Sequence, residues 1–312
     1  MLDFSNSKIL IVGDVMLDKY YFGKVDRISP EAPVPIVNIQ KEESRLGGAS
    51  NVANNIVSLG GHSLLCGVIG HDLFGKEIER ISRHKNIDTF LLKTSSPTIT
   101  KARIIGGKQQ ILRVDYEDKS ELNADNKKLF RDTISRILPE YDILVISDYG
   151  KGLISEDLCR YLIKLAHKYD KKVIIDPKGK NWEKYSGADI VTPNVKELSD
   201  IVGYTVPNTD RAIEKAAREA ITNNHLTALL VTRSDKGMSL IGPIPPIHIP
   251  THSEEVFDVS GAGDTVVATL GLCLAAGFEI SEAMRTANIA AGIVVKKVGT
   301  ATLTIEELVQ QK

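Results

Sequence analysis

The sequence predicts an α/β protein in which helices cover both faces of a mostly parallel β-sheet. Short runs that are apolar at every position, such as residues 9–12, 143–146 and 228–231, are typical of strands buried on both faces. Helical patterns alternate with these runs along the chain. Because strand–helix alternation implies right-handed crossovers between parallel strands, one sheet covered by two helical layers is expected.

In chain order, the elements follow from hydrophobic periodicity and from glycine or proline at their ends. Strands are predicted at residues 8–12, 63–69, 143–146, 173–175, 190–191 and 228–231. A helix is predicted to open within residues 46–51, and others to occupy residues 123–138, 155–168, 195–202, 210–223, 262–276, 280–297 and 304–311. Residues 18–42 and 98–115 lack a helical period, so short strands of a small β lid are expected there. These elements fit a single domain over residues 1–312.

The composition is that of an ordinary globular chain of 312 residues, 42% hydrophobic and 25% charged. Lysine and arginine number 39 against 40 acidic residues, a balance that gives no electrostatic reason to expect a nucleic acid or a membrane as partner. Cys66, Cys159 and Cys273 lie far apart in apolar patterns, which is typical of reduced core thiols. With no leader pattern and no apolar run of about 18 residues, a cytoplasmic location is predicted.

Polar residues follow the predicted buried strands at their carboxyl ends. They are Asp14, Asp148, Asp176, Asn194 and Thr232. Open α/β sheets bind ligands along this edge, so the five side chains are expected to line one crevice. The alternative for each acid is a turn-forming role without a ligand.

Two glycine-rich stretches lie where helices are predicted to begin, at residues 46–51 and 258–265. The first turn of a helix leaves N–H groups unpaired at the positive end of its dipole, and glycine lets an anion approach this backbone closely. Asp264 lies in the second stretch, where it is either a helix cap or a reacting group. The helix that follows is apolar almost all round and is therefore expected to be buried.

A third glycine stretch, from Gly70 to Lys76, has the spacing of a phosphate-binding P-loop. However, Glu77 stands where magnesium binding needs serine or threonine, and its carboxylate would repel phosphates. Gly70 and Gly75 are therefore expected to frame an ordinary strand-to-helix turn.

Basic residues are interspersed with β-forming residues in the second part of the predicted lid. Lys101, Arg103 and Arg113 lie there, on both sides of a predicted hairpin at residues 106–107. They either solvate exposed strand faces or form a pocket for an anionic substrate.

Three motifs in order resemble those of the ribokinase-like carbohydrate kinases: GGASN at residues 47–51, NVKE at residues 194–197 and DVSGAGD at residues 258–264. The resemblance covers essentially the whole chain. It implies a ribokinase-like three-layer α/β fold with a small β lid, and ATP and Mg²⁺ as cofactors. Longer strings, at residues 13–18, 27–35, 147–152 and 176–179, are similar to the kinase part of the bacterial ADP-heptose synthesis enzymes.

The resemblance makes Asp264 the base that takes the proton from the attacking sugar hydroxyl, with an ordinary pKa of about 3.9 that needs no tuning. Backbone N–H groups of Gly261, Ala262 and Gly263 would then bind the charge on the transferring phosphoryl group. Phosphoryl transfer depends more on positioning and charge neutralisation than on a strong base. This interpretation makes Asp264 a base rather than a cap.

For the nucleotide, the resemblance assigns the phosphates and Mg²⁺ to the residues Asn194, Val195, Lys196 and Glu197. Glu197 would act on the metal through water, since Mg²⁺ keeps several of its waters. Other nucleotide contacts are implied for Thr232, Ser234 and Gly237, and for Asn288 beside the adenine. A monovalent cation near Asp258 and Ser260 is a further expectation.

For the sugar, the implied hydroxyl-binding residues are Asp14, Asp18, Gly47, Gly48 and Asn51. A phosphate on the sugar needs cations, and the expected ones are Lys178, Arg103, Arg113 and Lys151. The implied reaction moves the ATP γ-phosphate to the anomeric hydroxyl of D-glycero-D-manno-heptose 7-phosphate, giving the 1,7-bisphosphate for lipopolysaccharide core synthesis. The resemblance also suggests a homodimer clasped through the β lid.

Other classes of function make different demands on the sequence. Another ribokinase-like sugar or nucleoside kinase, for example of the phosphofructokinase type, would share Asp264 without needing Lys178. A dinucleotide-dependent oxidoreductase would need GxGxxG after the first strand, where the chain has GDVM, and a non-catalytic sugar-binding regulator would not need Asp264. None of the seven histidines forms the His-x-Gly-His motif of a nucleotidyltransferase domain, so no such domain is expected in this chain.

Overall fold

A computed structural model describes residues 2–251 and 256–311 and confirms the predicted α/β class. Strands and helices alternate through most of the chain. The strands are β1 (Lys8–Gly13), β2 (Val15–Ile28), β3 (Pro35–Gly48), β4 (His62–Gly70), β5 (Asp88–Thr94), β6 (Thr100–Gly106), β7 (Gln109–Tyr116), β8 (Ile143–Ser147), β9 (Lys172–Asp176), β10 (Ile190–Val191), β11 (Leu229–Thr232), β12 (Met238–Ile241) and β13 (Ile247–Ile249).

The helices with predicted bounds agree with the prediction to within about three residues at each end, whereas the helix at Leu73–His84 was expected only as the one that follows the turn at Gly70 and Gly75. The helices are α1 (Ala49–Ser58), α2 (Leu73–His84), α3 (Ala124–Ile137), α4 (Glu156–Lys168), α5 (Val195–Val202), α6 (Asp210–Asn224), α7 (Ala262–Ala275), α8 (Ile280–Val294) and α9 (Ile305–Gln311). The largest difference is at α8, which ends at Val294 because residues 295–300 turn back towards the start of α7. Within the two described ranges, no helix is long and apolar enough to cross a membrane.

The main sheet has the strand order β13-β12-β11-β10-β9-β8-β1-β4-β5 over the described residues. Neighbours from β11 to β5 pair in parallel, whereas β12 and β13 are antiparallel. Both faces are covered, because Ile9 and Ile11 pack in one core with α7 and α8, while Leu10 and Val12 pack in another with α3 and α4. The parallel order puts the carboxyl ends of β1, β8, β9, β10 and β11 along one edge.

A second sheet, with the order β3-β2-β6-β7, occupies the region of the predicted lid. The expectation of short strands there is wrong: β2 and β3 have 14 residues each and pair along almost their whole length. The prolines of this region do not break either strand, since Pro30 and Pro33 lie in the connecting turn and Pro35 begins β3. Only Asp14 separates β1 from β2, so one nearly continuous segment joins the two sheets.

The stretch with P-loop spacing is an ordinary strand-to-helix turn, as predicted. Asp72 is the N-cap of α2, and its carboxylate accepts the N–H of Gly75 at 2.8 Å. The same carboxylate accepts the N–H and the hydroxyl of Thr98, both at 2.7 Å, and so joins α2 to the segment before β6. Glu77 pairs with Arg80 instead of contributing to a phosphate site.

Replacement of Asp72 tests the importance of this cap. Burial would raise the pKa of Asp72, but the hydrogen bonds from Thr98 and Gly75 outweigh it and lower the pKa. The ionised carboxylate therefore stabilises the folded state above its ordinary pKa, and this contribution is lost as the pH falls through the lowered value. We expect Asp72→Ala to reduce the free energy of unfolding at pH 7 by about 1 to 3 kcal/mol in urea titrations. Asp125→Ala, an exposed acid in the first turn of α3, is the control and should change it by only a few tenths; equal effects would contradict the prediction.

Candidate active site

The carboxyl edge of the main sheet carries the predicted strand-end residues, although they do not all line one crevice. Asp148, Asp176, Asn194 and Thr232 line a cleft of about 200 Å³, together with Gly263. Asp14 instead lines a larger cavity of about 630 Å³ over the ends of β4 and β5. The edge therefore has two openings.

Asp264 lies between the two sheets in the first turn of α7 and is 3% exposed. Its Oδ2 accepts the Asn51 amide at 2.7 Å, and its Oδ1 accepts the Tyr149 hydroxyl at 2.8 Å. The N-cap position belongs to Gly261, which has a φ of 80°, and no side chain caps this helix. The alternative that Asp264 is merely a cap is therefore not supported by the geometry.

The expectation of an ordinary pKa for Asp264 is wrong. Burial raises the pKa to about 6, and the nearby Asp18 carboxylate adds to this rise. Hydrogen bonds from Asn51 and Tyr149 and the charge of Lys101 act in the opposite direction. Asp264 is consequently ionised above about pH 6, and its ionisation depends on the groups around it.

The turn before α7 leaves backbone donors available beside Asp264. Ala262 donates its N–H to the Val259 carbonyl at 3.2 Å. By contrast, the N–H groups of Gly261 and Gly263 have no acceptor among the residues that the structure describes. Gly263 also has open space where a side chain would lie. Within the described residues, the turn therefore leaves two backbone donors unpaired at the start of a helix, which is the arrangement that favours an anion.

The same turn is tied to the second sheet. Oδ1 of Asp258 accepts the Ser260 N–H at 2.9 Å, and Oδ2 accepts the Gly299 N–H at 2.8 Å. Arg45 of β3 donates to the Val298 carbonyl next to Gly299. Residues 295–299 therefore connect the second sheet with the start of α7.

Asp14 fixes the loop that follows β8. Its Oδ2 accepts the N–H groups of Tyr149 and Lys151 at 2.8 and 3.0 Å. Burial, together with the nearby Asp148 carboxylate, raises the pKa of Asp14 to about 6. Asp148 is itself held by the Tyr185 hydroxyl and by Lys184, so both acids serve the local structure.

The glycines at the end of β3 are required by the acids beside them. A Cβ on Gly47 would lie 2.3 Å from Oδ2 of Asp18, and one on Gly48 would lie 2.5 Å from the Asp14 carbonyl. Gly48 also has a φ of 56°, which favours glycine. Gly47 and Gly48 therefore let β3 pass close to Asp14 and Asp18 before α1 presents Asn51.

Asn194 and Glu197 form a capping box at the start of α5. The Asn194 side chain accepts the Glu197 N–H at 2.9 Å, and the Glu197 carboxylate accepts the Asn194 N–H at 3.1 Å. The other carboxylate oxygen pairs with Lys178 at 2.9 Å. Between them, the exposed Lys196 pairs with Asp200, and Val195 packs against the core. Glu197 and Lys178 both line the strand-end cleft.

The four cations expected to bind a sugar phosphate do not come together. Arg103 pairs with Asp18 at 2.5 Å, Arg113 pairs with Asp115, and Lys151 pairs with Glu117. Arg103 and Arg113 are neighbours on β6 and β7, and Lys151 lies on their side of Asp264. Lys178 instead pairs with Glu197 in the strand-end cleft.

The remaining predicted nucleotide residues lie around β11. Thr232 ends this strand and lines the cleft, while Ser234 and Gly237 form the tight turn after it. Gly237 has a φ of 77°, and its Cβ would lie 2.0 Å from the Ile249 carbonyl. Asn288 is buried, and its amide donates to the Pro250 carbonyl at 2.6 Å.

Tyr149 was not singled out from the sequence, whereas Asp176 and Lys101 were predicted only as a strand-end residue and as one of the basic residues of the lid. Asp176 had a signal as a strand end, and Lys101 lies two residues before Arg103 and so shares its face of β6. Burial, followed by the carboxylates of Asp264 and Glu197, raises the pKa of Asp176 well above its usual range. No comparable signal points to the Tyr149 hydroxyl, because its partner Asp264 is 115 residues away in the sequence.

The fold and the motifs match those of known kinases. The profile of the pfkB family carbohydrate kinases matches residues 6–307. Phosphofructokinase-2 from Escherichia coli, solved in complex with potassium, superimposes with a TM-score of 0.81 over 97% of both chains at 20% identity. Ribokinase from Arabidopsis thaliana, complexed with ribose and ATP, gives a TM-score of 0.76 over 98% of both chains at 19% identity. The ribokinase-like fold is thereby confirmed.

Curated relatives show a higher sequence identity. The bifunctional protein HldE of Haemophilus influenzae (strain PittEE) is 46% identical over 308 residues, and that of Chromohalobacter salexigens is 46% identical over 304 residues. These alignments cover 98% and 97% of this chain, whereas the chain spans 63% of the length of each relative. The family match over residues 6–307 defines a carbohydrate kinase, which is a phosphotransferase. The chain belongs to the pfkB family of carbohydrate kinases.

Proposed function

We propose that this kinase transfers the γ-phosphate of ATP to the anomeric hydroxyl of D-glycero-D-manno-heptose 7-phosphate, for ADP-heptose and lipopolysaccharide core synthesis. The observation that carries the proposal is the buried Asp264 carboxylate, held by Asn51 and Tyr149 at the glycine turn that begins α7. The choice of sugar rests on the strings at residues 13–18, 27–35, 147–152 and 176–179, which resemble the kinase part of ADP-heptose synthesis enzymes.

In this proposal Asp264 is the general base. A carboxylate has about four lone-pair sites, so each oxygen can still accept a sugar hydroxyl while Asn51 and Tyr149 occupy one site each. As the hydroxyl oxygen attacks the γ-phosphorus, its proton passes to Asp264 and the bond to the leaving ADP oxygen breaks. The free N–H groups of Gly261 and Gly263 would bind the charge of the transferring group.

The strand-end cleft suits a hydrated magnesium ion. The Asp176 carboxylate accepts no hydrogen bond from the described residues. Burial and the negative charges of Asp264 and Glu197 disfavour its ionised form, so a nearby cation would stabilise that form. Asp176 and Glu197 would hold Mg²⁺ through its waters. When bound, the ion neutralises charge on the ATP phosphates. The monovalent cation near Asp258 and Ser260 stays a prediction.

The cations divide between the two substrates in this proposal. Arg103, Arg113 and Lys151 lie on the second-sheet side of Asp264, with the half-buried Lys101 among them, and would bind the phosphate of the sugar. Lys178, beside Glu197 in the other cleft, would contact the nucleotide phosphates. Asp14, between β1 and β2, and Asp18, on β2, would orient the sugar hydroxyls.

The second sheet is also the proposed dimer interface, with a second copy of the chain as the partner. Exposed apolar side chains concentrate on it: Val25 is 40% exposed, Ile28 62% and Leu112 52%. Contiguous apolar surface of this kind is typical of protein–protein contacts. The location proposed is the cytoplasm, since the three free cysteines are all buried and suit reducing conditions.

A substrate panel with Asp264→Asn tests the reaction. With ATP and Mg²⁺, the wild type should phosphorylate heptose 7-phosphate in preference to fructose phosphates, ribose and adenosine. Loss of the base should lower kcat by about 10²- to 10⁴-fold with small changes in KM, because the amide cannot accept the proton. Turnover of fructose phosphates alone would favour the phosphofructokinase alternative. Undiminished activity of Asp264→Asn would show that Asp264 is not the base.

The division of cations predicts opposite effects on the two KM values. Lys178→Ala should raise KM for MgATP by about tenfold and leave KM for the sugar phosphate within about twofold, whereas Arg103→Ala should do the reverse. Steady-state kinetics with each substrate varied in turn provides the measurement, and Lys168→Ala at the end of α4 is the control. If Lys178→Ala mainly affected the sugar phosphate, Lys178 would belong to the sugar site as the sequence suggested.

The dimer is tested by size-exclusion chromatography with light scattering. We expect the wild type to have twice the mass of one chain and Val25→Asp to be monomeric, because a buried charge opposes association. Val309→Asp, on the exposed face of α9, is the matched control and should remain dimeric. A monomeric wild type would refute the dimer.

A further inference from the structure

Tyr149 makes a contact with Asp264 that the motif-based assignment does not contain. Its hydroxyl donates to Oδ1 of Asp264 at 2.8 Å, while Asn51 donates to Oδ2 at 2.7 Å. These are the two hydrogen bonds that the side chain of Asp264 accepts within the described residues. One of the two groups that fix the proposed base is therefore a phenol from the loop after β8.

The phenol can only act as a donor towards Asp264. Burial, and then the charges of Asp264 and Asp176, raise the pKa of Tyr149 well above its usual range. The hydroxyl therefore keeps its proton at neutral pH and well above it. A carboxylate facing it is always offered a hydrogen bond.

The backbone around Tyr149 is fixed by the acids at the strand ends. Its N–H donates to Oδ2 of Asp14 at 2.8 Å, and the following Gly150 N–H donates to Oδ1 of Asp148 at 2.7 Å. On the second-sheet side, the ammonium group of Lys101 lies 5.5 Å from the centroid of the Tyr149 ring. The ring is thus held between the main sheet and β6, and its hydroxyl has little freedom to leave Asp264.

We propose that Tyr149 is a positioning residue for phosphoryl transfer: its hydroxyl holds the Asp264 carboxylate ionised and turned towards the sugar hydroxyl. The inference rests on the proposed role of Asp264 as base and adds a residue to it. Three further charged groups face Asp264 besides its two donors. Asp18 of β2 and Asp176 of β9 disfavour its ionised form, and Lys101 of β6 favours it. Because two carboxylates and burial already disfavour the ionised form of Asp264, the loss of one of its two hydrogen bonds makes that form less stable.

The pH dependence of kcat/KM for the sugar phosphate tests the proposal with Tyr149→Phe. The wild type should lose activity as the pH falls through about 6, where Asp264 becomes protonated. In the variant this acid limb should move up by about one pH unit, so that activity drops by about five- to tenfold at pH 5.5 but stays within about threefold of wild type at pH 9. The ring and its contact with Lys101 are retained, and Tyr161→Phe on α4 is the matched control.

A fluorinated tyrosine at position 149 should shift the acid limb of the pH profile in the opposite direction without removing the hydroxyl. Its more acidic phenol donates a stronger hydrogen bond, so the acid limb should move to lower pH. An unchanged acid limb in both variants would overturn the proposal, as would a uniform loss of activity at every pH, which a merely structural role would cause. Activity in Asp264→Asn would instead overturn the base itself, so the two failures are distinguishable.

Discussion

The structure of the site depends on one constraint, which is that an ionisable carboxylate is buried at the start of the central helix α7. Asp264 is 3% exposed and can remain ionised only because donors reach it from distant parts of the chain. Asn51 comes from α1 and Tyr149 from the loop after β8. The parallel sheet makes this convergence possible, because β1 and β8 are neighbours and end at the same edge. Around Asp264, the fold thus provides the hydrogen bonds that water would otherwise supply.

Asp14 links this constraint to the architecture. It lies between β1 and β2, at the point where the chain leaves the main sheet for the second sheet, and it holds the backbone of Tyr149. Two hydrogen bonds, from the Tyr149 N–H to Asp14 and from the Tyr149 hydroxyl to Asp264, therefore connect the junction of the two sheets with the base. The second sheet is part of the site. The charge of Asp18, on β2, acts on Asp264, and Lys101, on β6, contacts the Tyr149 ring.

Local signals in the sequence were sufficient for most of the main elements and for the positions of the strand-end acids. Hydrophobic periodicity predicts helices such as α6, in which Ile213, Ala216, Ala217 and Ala220 are buried. The length of β2 and β3 could not be inferred, because exposed strands in a ribbon need not alternate in hydrophobicity and prolines fit at the turn. The pairing of Lys178 with Glu197 and the raised pKa of Asp264 depend on packing between elements far apart in sequence. No periodicity encodes such contacts.

The acids at the strand ends affect the whole protein through thermodynamic linkage. Burial raises the pKa of Asp14, Asp176 and Asp264 above their values in the unfolded chain. Folding therefore takes up protons, and the stability that these groups contribute at low pH is lost as the pH rises through their folded-state pKa values. At neutral pH, lost hydration and repulsion from neighbouring carboxylates make these acids oppose folding, Asp148 acting on Asp14 and Asp264 acting on Asp176. A cation bound beside Asp176 in the folded state alone would reverse part of this effect, so the ligand-free enzyme would be less stable than the cation-bound form.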